Sequence, residues 1–156
     1  MYNIRLIDFI KDASLVCRFS ADSRNEVIQV LADTLAKRGL VESQGEVTDG
    51  LTLMEELHTT VIGNGVAIPH ATIEGVDGTL LMVAIADQPV EFGPTDQEFC
   101  SVFFVLLSPP GYGGEHVRIL ARIARLASDP ATVERLRAAE SEAMLKHAIE
   151  VMDGRG

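Results

Sequence analysis

The sequence predicts a mixed α/β fold in which helices cover a mixed β-sheet, and three observations carry that expectation. Helical and extended patterns interleave along the chain instead of forming separate blocks. The most apolar runs, "LLMVAIA" and "FFVLL", have strand length and fall far short of the ~20 residues a membrane span needs. No internal repeat, low-complexity tract or long linker divides the chain, so residues 1–156 are expected to form one domain with a core of ordinary size.

The elements follow in order. In "NIRLIDFIKD", Ile4, Ile7 and Ile10 make a short helical stripe, and "SLVCRF" reads as a strand. "SADSRNEVIQVLADTLAKRGL" predicts a helix capped by Asp22 or Ser23, with Val27, Val30, Leu31, Thr34 and Leu35 inward and Gly39 as its stop. "GEVTDGLTLMEELH" is a weaker helix that Gly50 should interrupt. "GTLLMVAIA" and "EFCSVFFVLLS" are strands, and the second is apolar enough to be central. "PPGYGGE" breaks the chain before "HVRILARIARLAS", a helix with Val117, Leu120, Ala121 and Ala124 on one face and Arg118, Arg122 and Arg125 on the other. "DPATVERLRAAE" starts with Asp129 as cap and Pro130 in the first turn, and "SEAMLKHAIEVM" starts at Ser141 and ends near Gly154.

Charge excludes one class of partner. The net charge of −10 argues against nucleic acid, whose phosphates require clustered Lys and Arg. The imbalance is concentrated: between Arg38 and Arg118 there are twelve acids and no Lys or Arg. That interval would suit a basic protein surface as docking partner, but on charge alone the simpler reading is that the acidity serves solubility. Cys17 and Cys100 form no metal or redox spacing, and no secretory segment opens the chain. They are expected to be reduced core residues of a cytoplasmic protein without membrane insertion.

One stretch stands out. "HTTVIGNGVAIPHA", residues 58 to 71, has no acidic, lysine or arginine side chain and is bracketed by His58 and His70. Proline forces the preceding residue into extended geometry, so "VAIP" predicts a short strand with His70 at its end. Gly63 and Gly65 permit positive φ around Asn64, and their N–H groups with the Thr59 and Thr60 hydroxyls could cradle an anion. A neutral imidazole beside such donors is a possible phosphoryl acceptor. Spacing alone favours a turn and strand with a structural histidine.

The run "TTVIGNGVAIPHA" resembles the phosphorylation-site signature of enzyme IIA domains of the bacterial phosphoenolpyruvate-dependent sugar phosphotransferase system. The resembling class is the fructose–mannitol one, which includes the nitrogen-regulatory paralogue. "ASLVCRFSADSRNEVIQVLADTLAKRGLV", "VEFGPTDQEFCSVFFVLLSPPG" and "EHVRILARIARLASDPATVERLRAAES" resemble its opening, central and closing regions, so the likeness spans roughly residues 4 to 150. It implies a three-layer sandwich of the phosphotransferase/anion-transport-protein type. It also implies a phosphocarrier without cofactor or metal, whose His70 takes a phosphoryl group from the histidine-containing phosphocarrier protein and passes it to an enzyme IIB domain or reports it to a regulatory target. His116 matches a family histidine that stabilises the phosphoryl group, and Thr60, Gly63, Asn64 and Gly65 are the expected phosphoryl-binding positions.

One position departs from the family pattern. Where the family carries an arginine ahead of the signature, this chain has Met54, and the usual small residue at 58 is His58. Were 54 to 58 helical, the two would be i and i+4 neighbours, and His58 could stand in for the lost cation; without it, stabilising the transferred group would fall to backbone donors, His116 and Arg118. Otherwise the protein is a regulatory module that binds without relaying phosphate efficiently. A third alternative makes His58, His70 and His116 the ligands of a metal hydrolase, although spacings of twelve and forty-six residues form no metal motif. His147 has no expected role, and Glu55 with Glu56 reads as a solvated helix face.

Overall fold

A computed structural model describes residues 4–94 and 98–154. Asp96 of the acidic interval lies outside the described residues. The chain forms, in order, β1 (Leu15–Phe19), α1 (Arg24–Lys37), α2 (Gln44–Leu57), β2 (Val61–Gly63), β3 (Val66–Ala67), β4 (His70–Thr72), β5 (Leu80–Glu91), β6 (Phe99–Ser108), α3 (Gly113–Leu126), α4 (Pro130–Arg137) and α5 (Glu142–Asp153). Two short 3-10 turns, Leu6–Phe9 and Asp12–Ser14, precede β1, so the opening Ile stripe is helical only in part.

The six strands make one mixed sheet in the order β1-β5-β6-β3-β2, with β4 also paired to β6. β1 runs parallel to β5, β5 antiparallel to β6, and both β3 and β4 parallel to β6. The central position expected for "FFVLL" is therefore the one it takes. Strand alternation splits its side chains between two cores. Phe103, Val105 and Leu107 pack under α1 and α2, while Val102, Phe104 and Leu106 pack under α3, α4 and α5. The architecture is three layers, helices on both faces of the sheet.

Local chemistry explains the helix starts. Ser23, Ser43 and Ser141 each accept a backbone N–H of the first turn, from Glu26, Glu46 and Met144, and Asp129 accepts that of Ala131 ahead of Pro130. Two expectations need correction. Gly50 does not interrupt α2; a Cβ there would come within 3.0 Å of the Ala71 Cβ, so the glycine lets the helix lie close on β4. The inward stripe of α3 is His116, Ile119, Arg122, Ile123 and Leu126, whereas Val117, Ala121 and Ala124 are exposed. An arginine could turn inward because Asp153 awaits it: Arg122 Nη2 lies 3.1 Å from Asp153 Oδ1, both side chains buried. The same carboxylate accepts the Leu6 and Ile7 N–H groups, at 3.0 and 2.8 Å, and so ties the N-terminal turn to the end of α5.

Candidate functional site

Pro69 organises the approach to His70. It has no N–H to give the sheet, so pairing with β6 stops after Ala67 and resumes at His70. His70 thus opens β4 instead of closing the "VAIP" strand, opposite Leu106. Its Nδ1 lies 2.7 Å from the Ile68 carbonyl oxygen. A carbonyl only accepts, so Nδ1 carries the proton and Nε2 of the neutral ring keeps its lone pair. The ring is half-buried, open to an incoming molecule.

The second histidine comes from far along the chain. His116, in the first turn of α3, places its ring centroid 5.6 Å from that of His70 at 61°. It is 9% exposed, and its Nδ1 lies 2.8 Å from Ser108 Oγ. Burial and the neighbouring charge of His70 push its pKa below the ordinary histidine value. Of the two rings, His70 is the accessible one.

Glu55, on the buried side of α2 and only 6% exposed, lies within electrostatic range of His70. The solvated-face reading therefore holds for exposed Glu56 but fails for Glu55. The Glu55 carboxylate accepts the Thr60 hydroxyl and, at 3.3 Å, the Thr60 N–H. Burial raises its pKa, and the Thr60 bonds and the positive charges of Arg24 and His70 oppose that rise. No sequence spacing could link Arg24 at the head of α1 to this carboxylate; the fold alone brings its charge into range.

Other expected site residues go elsewhere. The Gly63–Asn64–Gly65 turn takes positive φ at all three residues, 101°, 57° and 75°, to reverse the chain between β2 and β3. The Gly65 carbonyl accepts from Ser101 N at 2.9 Å, five positions along β6 from the His70 register, or about 16 Å. The turn is fixed there by Asn64 Nδ2 donating to the Ala127 carbonyl (3.1 Å) and by Arg137 Nη2 donating to the Asn64 carbonyl (3.1 Å). It does not surround His70. Thr60 is nearer: its carbonyl accepts the Ile68 N–H at 2.9 Å, while its hydroxyl is spent on Glu55.

His58 caps α2 with extended backbone, φ −149° and ψ 138°. Its backbone has left the helix and its side chain is exposed, whereas Met54 is half-buried. The three histidines accordingly do not converge, and among the described residues no three His, Cys, Asp or Glu side chains are placed to share a metal ion. Arg118 and His147 are exposed on their helices. Cys100 is buried, its thiol pushed up to about 12 mainly by burial, and Cys17 is half-buried; both are free thiols. No described helix is long and apolar enough to cross a membrane.

Residues 8–151 match the family model of the phosphoenolpyruvate-dependent sugar phosphotransferase system, EIIA 2. A nitrogen regulatory protein of Bradyrhizobium diazoefficiens is 33% identical over 135 residues, 85% of this chain and 86% of that one. The crystal structure of nitrogen regulatory protein IIA-Ntr from Neisseria meningitidis superposes with a TM-score of 0.81 at 26% identity, covering 91% of this chain and 97% of that one. A solution complex of the mannitol enzyme IIA with phosphorylated enzyme IIB from Escherichia coli shares the fold, with a TM-score of 0.76 at 20% identity over 91% of this chain and 99% of that one.

Proposed function

Since the chain belongs to the EIIA 2 family of the phosphoenolpyruvate-dependent sugar phosphotransferase system, we propose that it carries a phosphoryl group on His70 Nε2. The observation that carries this reading is the Nδ1 bond to the Ile68 carbonyl, which leaves Nε2 as the nucleophile of a half-buried ring. The donor is the histidine-containing phosphocarrier protein. The Nε2 lone pair forms the new P–N bond as the donor's P–N bond breaks and its electron pair returns to the donor ring. The positive charge that His70 gains meets the Ile68 carbonyl and lies in the field of Glu55. His116 lies beside the transferred group. Leu53, Leu57 and Val117, each more than half exposed, offer apolar contact to a docking protein, and the acidic interval between Arg38 and Arg118 suits a basic one.

The phosphoryl group then passes to an enzyme IIB domain or is reported to a regulatory target. The likeness to nitrogen regulatory proteins, together with Met54 in the position of the family arginine, favours the regulatory destination. The test is incubation with phosphoenolpyruvate, enzyme I and the phosphocarrier protein, followed by assay for acid-labile phosphate. One phosphate per chain, mapped to His70, supports the reading; no labelling with active donor proteins rejects it.

A further inference from the structure

His116 is held by a chain of hydrogen bonds that the transfer chemistry above leaves unexplained. Its Nδ1 meets Ser108 Oγ at 2.8 Å, Ser108 Oγ meets Thr79 Oγ1 at 3.2 Å, and the Thr79 hydroxyl donates to Glu115 Oε1 at 2.7 Å. Thr79 directly precedes β5, Ser108 ends β6, and Glu115 is the neighbour of His116 in α3, so three separate parts of the chain meet here. Each hydroxyl has one proton, and a carboxylate only accepts. The Thr79 proton is committed to Glu115, so Thr79 Oγ1 must accept from Ser108. Ser108 must then accept from His116. The direction of the whole chain is set at its acidic end.

We propose that Glu115, Thr79 and Ser108 are positioning residues that hold neutral His116 with its proton on Nδ1, so that His116 donates to a phosphoryl group from Nε2 only after taking up a second proton. The proposal rests on His70 being the phosphoryl acceptor. It makes phosphorylation of His70 a proton-coupled event: the phosphoryl group moves from the donor's nitrogen to His70 Nε2, and a proton from solvent binds His116 Nε2. Among the described residues, the titratable groups seen to bear on His116 are His70 from β4 and, through the two hydroxyls, Glu115 from its own helix; the sheet ends contribute Ser108 and Thr79. Burial and His70 keep His116 neutral in the unphosphorylated protein, and the dianionic group supplies the charge that admits the second proton. Glu115 also lies in the first turn of α3, where a carboxylate is favoured by the exposed N–H groups.

The test uses the full chain labelled with 15N at histidine. Long-range 1H–15N correlation spectra at about pH 8, where imidazoles are neutral, report which ring nitrogen of His116 carries the proton. The wild type should show Nδ1 protonated and Nε2 bare. Thr79→Val frees the Ser108 hydroxyl to donate to Nδ1, and Glu115→Gln supplies an amide that can donate back to Thr79; each should move a measurable fraction of His116 to the Nε2–H form. Glu115→Asp should restore the wild-type tautomer. A wild-type His116 protonated on Nε2 overturns the proposal, as does an unchanged tautomer in both variants. The coupling is read separately, from the phosphorylated fraction against the phosphocarrier protein as pH rises. Between the two His116 titrations the wild-type equilibrium should fall more steeply than that of Thr79→Val, by up to about tenfold per pH unit for one proton. Equal slopes overturn the coupling. Because the tautomer is read without partner or phosphate, a failure of labelling at His70 rejects the proposed function and leaves the spectra to decide the relay.

Discussion

His70 and the Gly63–Asn64–Gly65 turn belong to one uncharged stretch of sequence but lie at opposite ends of the β6 register, and they use their polar groups in opposite ways. At the turn the strong groups are spent on the fold. Asn64 gives its amide to the end of α3, and Arg137 divides its guanidinium among Asn64, Ser101 and Glu134. At His70 one ring nitrogen is spent on a carbonyl and the other is left over, with a second imidazole close by. Glycines with positive φ make a hairpin reversal possible; a site for chemistry needs a group that the fold has not used.

The largest expected effect lies at the chemical end. His70→Ala should abolish phosphoryl labelling while the circular dichroism spectrum and melting temperature stay close to wild type, because a half-buried ring with one hydrogen bond contributes little to the core. Labelling that survives in the mutant would transfer the acceptor role to His116. The matching change at the structural end is Gly65→Val. It forces a β-branched residue to φ 75° with its Cβ about 3.0 Å from Arg137 Nη2, and should cost about 1–3 kcal/mol in urea denaturation while labelling of the folded protein continues. Loss of labelling in folded Gly65→Val would return the turn to the site.

A smaller effect sharpens the account of the site itself. Met54→Arg places an always-charged, planar fork one residue before Glu55 and should speed phosphoryl transfer by about tenfold, measured in rapid-quench experiments. His58→Gly should leave the rate unchanged, since that side chain is exposed beyond the helix end. An unaltered rate in Met54→Arg would leave the burden with His116 and the Ile68 carbonyl.

The smallest effect is a pH slope. The folded state holds the His116 pKa below the ordinary histidine value of about 6.5, so its neutral form is favoured on folding. The associated stability is complete above that ordinary value and is lost as pH falls through it towards the lowered one. Glu55 acts with the opposite sign: its raised pKa removes stability as pH climbs out of the ordinary carboxylate range. Comparing denaturation of wild type and His116→Gln between about pH 7 and pH 5 isolates the first effect, which for one proton stays below about 1.4 kcal/mol per pH unit. Parallel curves for the two proteins would show that His116 gains no such bias on folding.

Much of this molecule was legible in its residues. The caps at Ser23, Asp129 and Ser141, the central strand and the chain break at Pro69 were readable, because each depends on neighbours within a few residues; that His70 opens a new strand beyond that break was not. The inward face of α3 was misread since an arginine counts as solvent-facing until a buried carboxylate is known to meet it, and Asp153 is thirty-one positions away. Glu55 was misread for the same reason: its burial depends on the sheet beneath α2 and on Thr60 after the helix ends.

By itself the sequence determined the alternation of helices and strands, the family to which the chain belongs and which histidine its signature singles out, since periodicity, caps and a contiguous motif are local properties. The tertiary structure alone decided which groups surround that histidine. His116 stands beside His70, Arg24 acts on Glu55, and Thr79, Ser108 and Glu115 join in one chain because crossovers between β4, β5, β6 and α3 bring distant segments to one end of the sheet. The Gly63–Asn64–Gly65 turn was carried to the other end by the same register: hydrogen-bond pairing along β6 fixes position in space, whereas proximity along the chain does not.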